Sequence, residues 1–256
     1  MGAGGLPHPD APRNRSLNGV GVVAALEAEA RTLGPAAPRR DGLSSLRGGA
    51  LLAVGGMGGV HAAIAARRLV DAGAAALMSF GFAGGLDPSL SAGSVVLPGE
   101  VISIDGTRFS TSAGWCAELR LAILGRRPVI AGKLLTASQP IDRIEDKAQA
   151  FRETGAVAVD MESLGIAEVA AGHSLPFAVI RVIVDTAMDV LPRAVMAASL
   201  GGQLSMRRLV GGLAAAPLDL LPLIRLAQRY RAATRSLTAV ARADLPAPFA
   251  AGARVA

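Results

Sequence analysis

Short apolar runs punctuate the chain, and most of them end in glycine or a carboxylate. Residues 20–26 (VGVVAAL), 50–54 (ALLAV), 74–80 (AAALMSF), 94–97 (SVVL), 101–104 (VISI), 133–136 (KLLT), 156–159 (AVAV) and 177–184 (FAVIRVIV) are such runs. Apolar runs this short, bounded by turn residues, predict buried strands. Helical stretches lie between them. Residues 60–72 follow the glycines of GGMGG, residues 143–152 place mixed charges on an outer face, and DMESLGIAEVAA follows the 156–159 strand. The repeated order of strand, glycine or carboxylate, then helix predicts an α/β single-domain three-layer fold. Its central sheet is mostly parallel but mixed, and helices flank it. No internal repeat of fixed period is visible.

The two ends read differently. Residues 1–17, rich in Gly, Pro and Arg, are expected to form a flexible tail with no secretory signal. Residues 18–216 make the domain, and 217–256 a basic amphipathic C-terminal helix and tail. There Leu220, Leu223, Ile224, Ala227 and Tyr230 recur at helical spacing, with Arg225, Arg229, Arg231, Arg235 and Arg242 between them. Pro222 is expected to interrupt the start of this helix. Two uses fit: packing on the domain, or adsorption on an anionic membrane surface. The last residues, ADLPAPFAAGARVA, read as a loose tail.

Composition narrows the classes. Hydrophobic residues make up 51% and aromatics 3%, so the core must come from Ala, Val, Leu and Ile. The net charge of +6 invites an anionic partner, but the scarcity of stacking aromatics argues against nucleic acid. The single Cys116 excludes an internal disulfide and fits a reducing cytoplasm. No metal site is expected, since His8, His61 and His173 stand in unrelated settings. The uncharged stretch 48–66 is long enough to raise a membrane span, but its glycines and His61 favour strand, loop and helix. The expected location is cytoplasmic, with a peripheral position at the inner membrane surface as the lipid-linked variant.

Ligands of parallel α/β sheets bind beyond the carboxyl ends of the strands. Glu27 and Glu29, GGMGG, GFAGGL, VDMES and Asp185 all stand at such ends. Neither glycine cluster is a phosphate-binding P-loop, and neither makes a convincing dinucleotide fingerprint, which argues against an oxidoreductase. Tight packing and ligand cradling both explain them. Asp185 ends a very apolar strand, so desolvation should raise its pKa and fit it as a proton donor; an N-cap is the plainer reading. Glu162 in a first helical turn has dipole stabilisation as its plainer reading. Glu29 could be a surface acid.

Taken in order, ALEAEA, GGMGGVHAA, SFGFAGGLDPSLSAGSVVL, AVAVDMES and PFAVIRVIVD resemble the nucleoside phosphorylase superfamily that includes methylthioadenosine nucleosidases. SFGFAGGLDP, AVAVDMES, LPFAVIRV and the Arg/Leu-rich C-terminal segment are similar to its hopanoid-associated phosphorylases. The resemblance implies a nucleoside phosphorylase-like fold and cleavage of a 5′-substituted adenosine. For the narrower group it implies release of adenine from adenosylhopane, a lipid-linked nucleoside. The alternatives are a methylthioadenosine/S-adenosylhomocysteine-type nucleosidase and a non-catalytic nucleoside binder.

By position, the resemblance makes Glu29 the base that activates water, and Asp185 the acid that protonates purine N7. It makes Glu162 the carboxylate that holds the ribose hydroxyls, with Met161 under the sugar and Arg181 ordering the site. Ile141 reads the adenine edge, and Gly84 and Gly85 lie against the substrate. Phe109 and Trp115 are candidates for the 5′-group pocket. No cofactor is implied beyond phosphate as a co-substrate, and a homodimer is expected. Phe82 departs from the pattern, since relatives often have a small hydroxyl residue there. Glu27, Glu29 and Ser79 occupy places where phosphate-using relatives put arginines, which favours water. Arg67, Arg68 and Arg108 remain as candidates for reaching a phosphate.

Overall fold

Alternate side chains of the apolar runs feed two different cores. The computed structural model describes residues 19–190 and 220–248. Among these, twelve strands form one mixed sheet. They are β1 (Val20–Ala24), β2 (Ala36–Pro38), β3 (Ser44–Leu46), β4 (Leu51–Val54), β5 (Ala76–Gly85) and β6 (Val95–Val96), followed by β7 (Glu100–Ser103), β8 (Arg108–Ser110), β9 (Val129–Ile130), β10 (Lys133–Thr136), β11 (Ala156–Asp160) and β12 (Phe177–Asp185). Six helices join them: α1 (Glu27–Thr32), α2 (Gly59–Asp71), α3 (Ala113–Leu124), α4 (Ile144–Thr154), α5 (Ser163–Gly172) and α6 (Leu220–Ala241).

On one face, α2 (Ala62, Ala66, Leu69) and α5 (Ile166, Ala170) cover Val23, Leu77 and Val179. On the other, α1, α3 and α6 (Ala30, Leu119, Leu237, Val240) cover Val22, Met78 and Ile180. Helix α4 packs Ala150 and Phe151 over a smaller cluster of Leu86, Ile102 and Leu135. The mostly parallel, three-layer α/β architecture is therefore as the periodicity indicates.

Strand β5 is the seam of the sheet. Its first residues, Ala76 to Ser79, pair with β1, and Gly84 and Gly85 pair antiparallel with β11 on the side that β1 has left. Along its other edge β12 runs parallel from Leu77 to Gly84. The run 74–80 is thus not a strand that stops at the glycines: the β12 ladder carries it through GFAGG to Gly85. Between Ser79 and Gly84, β5 lacks a strand neighbour on one side.

Several elements differ from expectation. Helix α3 goes unannounced because its apolar residues lie on both faces, with Leu119 and Ile123 buried but Leu121 and Leu124 exposed. Strands β2, β3, β8 and β9 are too short to show a period. Pro222 does not interrupt α6; it is the third residue, in the first turn, where no intrahelical bond is lost. The start of the expected loose tail is tied down. Ala243 and Leu245 are buried, and Trp115 Nε1 donates to the Pro246 carbonyl at 2.7 Å. The stretch 48–66 is β4, a glycine loop and the start of α2. No helix among the described residues is long and apolar enough to cross a membrane. The expected tail at 1–17 and the boundary at 216/217 lie outside the described residues.

Candidate active site

Glu29 fills the gap that β1 leaves beside β5. Its Oε1 accepts the Phe82 N–H at 2.8 Å, so a side chain supplies the missing rung of the ladder. Its Oε2 accepts the N–H groups of Ala25 and Leu26, both at 2.9 Å. A carboxylate oxygen has two acceptor positions, so Oε2 is filled and Oε1 keeps one open. Burial pushes the Glu29 carboxyl above the ordinary carboxylate range, against the pull of Arg181 and the three amides. Gly81 makes the arrangement fit: a Cβ there would lie 2.3 Å from Glu29 Oε1 and 2.6 Å from Arg181 Nη1. Glu29 is therefore no surface acid.

Alternation on β5 and β12 turns Ser79 and Arg181 towards α5, into an otherwise apolar layer. Arg181 is buried and its Nη2 sits 2.6 Å from Asp160 Oδ2 and 3.6 Å from Glu162 Oε2. The same nitrogen donates to Ser79 Oγ at 2.8 Å and Ser163 Oγ at 3.2 Å, while Nη1 donates to the Phe82 carbonyl at 3.3 Å. Asp160 in turn accepts from Thr136 Oγ1 at 2.7 Å and from the Ser163 N–H at the start of α5. Arg181 thus ties β5, β11, β12 and α5 together, and one guanidinium faces three carboxylates. Glu162 Oε1 accepts the Gly58 N–H at 2.9 Å, and Oε2 the Met161 N–H at 3.3 Å. Met161 accordingly sits where α5 begins, beside the start of α2.

Asp185 lies at the far end of the same ladder. A register shift between Ile183 and Asp185 sets Asp185 opposite Gly84 instead of continuing the earlier phase. Such a bulge re-aims a side chain. The carboxyl lies against Gly84, its oxygens 3.3 and 3.4 Å from where a Cβ would be, and Gly85 lets the Asp185 carbonyl and Thr186 Cα approach as closely. The glycines therefore serve close packing under the acid. Asp185 is not an N-cap: its Oδ2 accepts from Lys147 Nζ at 2.5 Å. Burial raises the Asp185 carboxyl, Lys147 opposes this, and Asp189 adds to it.

Lys147 was expected on the mixed-charge outer face of its helix. It is instead fully buried, at 0% exposure, because it bonds to residues 38 to 42 positions away. Asp160, inside the VDMES motif, carries no sequence signal that sets it apart from Glu162. Ile141 packs its side chain against the Leu135 cluster, in the loop that leads from β10 to α4. It lines a groove of about 360 Å³ with Ile102, Ile104 and Leu135.

Trp115 and Phe109 do not join the cluster. Helix α3 starts at the other end of the sheet, where Ser112 N–H donates to the carbonyl of Phe177, the first residue of β12. Phe109 pairs with Val101 near the start of β7 and packs under α5. Both serve packing, and neither reaches the carboxyl ends. Of the three arginines kept for phosphate, Arg68 donates to the Asp41 carbonyl, Arg108 pairs with Glu100, and Arg67 is exposed. Among the described residues no cluster of His, Cys, Asp and Glu could hold a metal ion.

Known proteins resemble this chain in sequence and in fold. Residues 43–200 match the family described as the phosphorylase superfamily. The 5′-methylthioadenosine/S-adenosylhomocysteine nucleosidase of Mycobacterium tuberculosis is 27% identical over 177 residues, covering 54% of this chain and 69% of that protein. The crystal structure of the corresponding nucleosidase of Neisseria meningitidis, in complex with methylthio-immucillin-A, superposes with a TM-score of 0.65 at 20% identity. It covers 86% of this chain and 95% of that one. The futalosine hydrolase of Helicobacter pylori gives 0.63 at 16% identity, over 88% and 97% of the two chains. Identities this low show a shared fold.

Proposed function

Since the chain belongs to the phosphorylase superfamily, we propose that this cluster of residues cleaves the N-glycosidic bond of a 5′-substituted adenosine and releases adenine. One observation carries the reading. Glu29 contacts Gly81 and Phe82, and Asp185 contacts Gly84, of the same strand, with Glu162 and Arg181 beside Glu29. The acid and the base thus sit along one strand, and in this reading the nucleoside lies with its base towards Asp185 and water towards Glu29.

In this reading Asp185 gives its proton to purine N7 as the C1′–N9 bond breaks, so the electron pair leaves on a neutral base. Glu162 holds the ribose hydroxyls, with Met161 beneath the sugar, and the carboxylates stabilise the positive charge that develops there. Water held at the open position of Glu29 Oε1 attacks C1′ and gives its proton to Glu29. Gly84 and Gly85 flank the base, and the backbone at Ile141 reads its edge. Arg181 orders the carboxylates without touching substrate.

Water suits the site better than phosphate. Three buried carboxylates face one guanidinium that they already occupy, and a phosphate dianion would meet net repulsion. The relatives act, by name, on methylthioadenosine and S-adenosylhomocysteine, which makes those the first alternative substrates. Adenosylhopane is the finer proposal. Exposed Met188 and Val190 follow Asp185, and exposed Val60 follows the Gly58 amide that binds Glu162. These apolar groups at the mouth would accept an apolar 5′ group. Exposed Arg231, Arg235 and Arg242 suit contact with an anionic membrane, and a second copy closing the 5′ pocket would make a dimer.

Adenine release, followed by chromatography with and without phosphate, tests the reading on adenosylhopane and methylthioadenosine. Release without phosphate is expected. Release only with phosphate would overturn the hydrolytic step, and release from methylthioadenosine alone would overturn the hopanoid substrate. No release from either would overturn the whole reading. Flotation with anionic vesicles and sedimentation read out the membrane and dimer parts; no co-flotation, or a monomer, removes each.

A further inference from the structure

We propose that Lys147 is a positioning residue for proton delivery to the leaving base: it clamps one oxygen of Asp185 and stabilises the carboxylate left when the acid has given up its proton. This rests on the reading above, in which Asp185 is the acid.

The geometry is specific. An ammonium has three N–H donors and no acceptor. Lys147 Nζ meets three acceptors: Asp185 Oδ2 at 2.5 Å, the Thr186 carbonyl at 2.9 Å and the Asp189 carbonyl at 3.1 Å. All three belong to the acid's own short segment. A buried ammonium costs several kcal/mol unless it is paired and fully hydrogen-bonded, and here both conditions hold. With Oδ2 engaged, the carboxyl is fixed over Gly84, and Oδ1 is the oxygen available to the base.

The other charges nearby are themselves paired, although Asp189 still adds to the rise of the acid. Asp189 faces it, but its Oδ1 is 2.5 Å from Arg229 of α6, and its Oδ2 accepts both the N–H and the hydroxyl of Thr186 at 2.8 Å. Strand β5 offers only Gly84 and Gly85 and β11 offers Val159, and Arg181, four residues back on β12, is engaged by Asp160. The proton passes from Asp185 to N7, the bond pair of C1′–N9 moves to the purine, and the new carboxylate finds an ammonium already in place.

Lys147→Gln tests this. The amide keeps two N–H donors for the two carbonyls and removes the charge. In an enzyme folded as the wild type by its thermal transition, kcat on a 5′-substituted adenosine should fall about tenfold or more, with KM little changed. The alkaline limb of the kcat–pH profile should move up by about 1–3 units, because the acid loses the cation that favours its ionised form. Lys147→Arg, which keeps the charge, should bring the limb back. An unmoved limb, or a change in KM alone, overturns the proposal. Should the glutamine variant fail to fold, the wild type carries the test by difference infrared titration against Asp185→Asn. A carboxyl band of Asp185 that persists above about pH 9, towards the ordinary lysine range, would overturn it. A wild type that releases no adenine removes the functional reading and this proposal together; an active wild type with an unmoved limb in Lys147→Gln removes this proposal alone.

Discussion

Glu162 is buried between Arg181 and two other carboxylates. Burial pushes its carboxyl up to about 7, Arg181 opposes this, and Asp160 and Glu29 add to it. An ordinary glutamate titrates near 4.5, so across that interval the folded chain holds a proton that the unfolded chain has lost. The stabilisation is complete below the lower value and disappears as pH rises through the upper one. Relative to Glu162→Gln, the wild type should lose melting temperature between about pH 5 and pH 8. A difference that stays flat or grows would contradict the burial argument. Glu29, Glu162 and Asp185 are conspicuous as carboxylates at strand ends and a helix start, each with a plainer reading of its own, whereas Arg181 and all four roles are legible only through the resemblance to the phosphorylase superfamily. The sequence did not expose Lys147, whose neighbours Glu145 and Asp146 make it look solvated and whose partner is distant. The available hint was its rarity: Lys133 and Lys147 are the only lysines among 26 basic residues.

At the scale of elements, the crossing of α2 and α5 sets the Glu162 side of the pocket. The two helices touch at glycines: a Cβ on Gly165 would lie 2.2 Å from the Gly59 carbonyl oxygen. Gly165→Ala should therefore force α2 away, cost about 1–3 kcal/mol of stability, and weaken the Gly58–Glu162 bond. Gly172→Ala at the end of the same helix meets nothing within 4 Å and should gain up to about 1 kcal/mol from helix propensity. Denaturant titration of the two variants decides it; equal effects would mean that the crossing is slack. Long strands and α2, α4 and α5 follow from periodicity, because each has one apolar face or is apolar throughout. The passage of β5 through GFAGG does not, since glycine carries no pattern and β12 imposes the pairing from a hundred residues away.

For the whole molecule, α6 is structural before it is anything else. Leu237 and Val240 of the helix, and Leu245 just after it, are buried with the β1 and β5 side chains. Each such side chain is worth about 1.5–3 kcal/mol, and the three together approach the entire stability of a typical domain, about 5–15 kcal/mol. A chain ending at residue 219 should show no cooperative unfolding by circular dichroism. A transition within a few degrees of the full chain would show α6 to be an accessory. Tyr230 adds a ring contact to Phe82, centroids 5.4 Å apart, so the same helix braces the strand that holds Glu29. The seam at β5 has a temporal consequence. Leu77 pairs with Phe177, and closing so long a loop is slow. A chain made from its amino end can place Glu29 early, but it has neither Asp185 nor a completed β5 edge until residue 185 has been synthesised. Under the proposed function, chemistry on a nucleoside is thereby withheld from every shorter nascent chain.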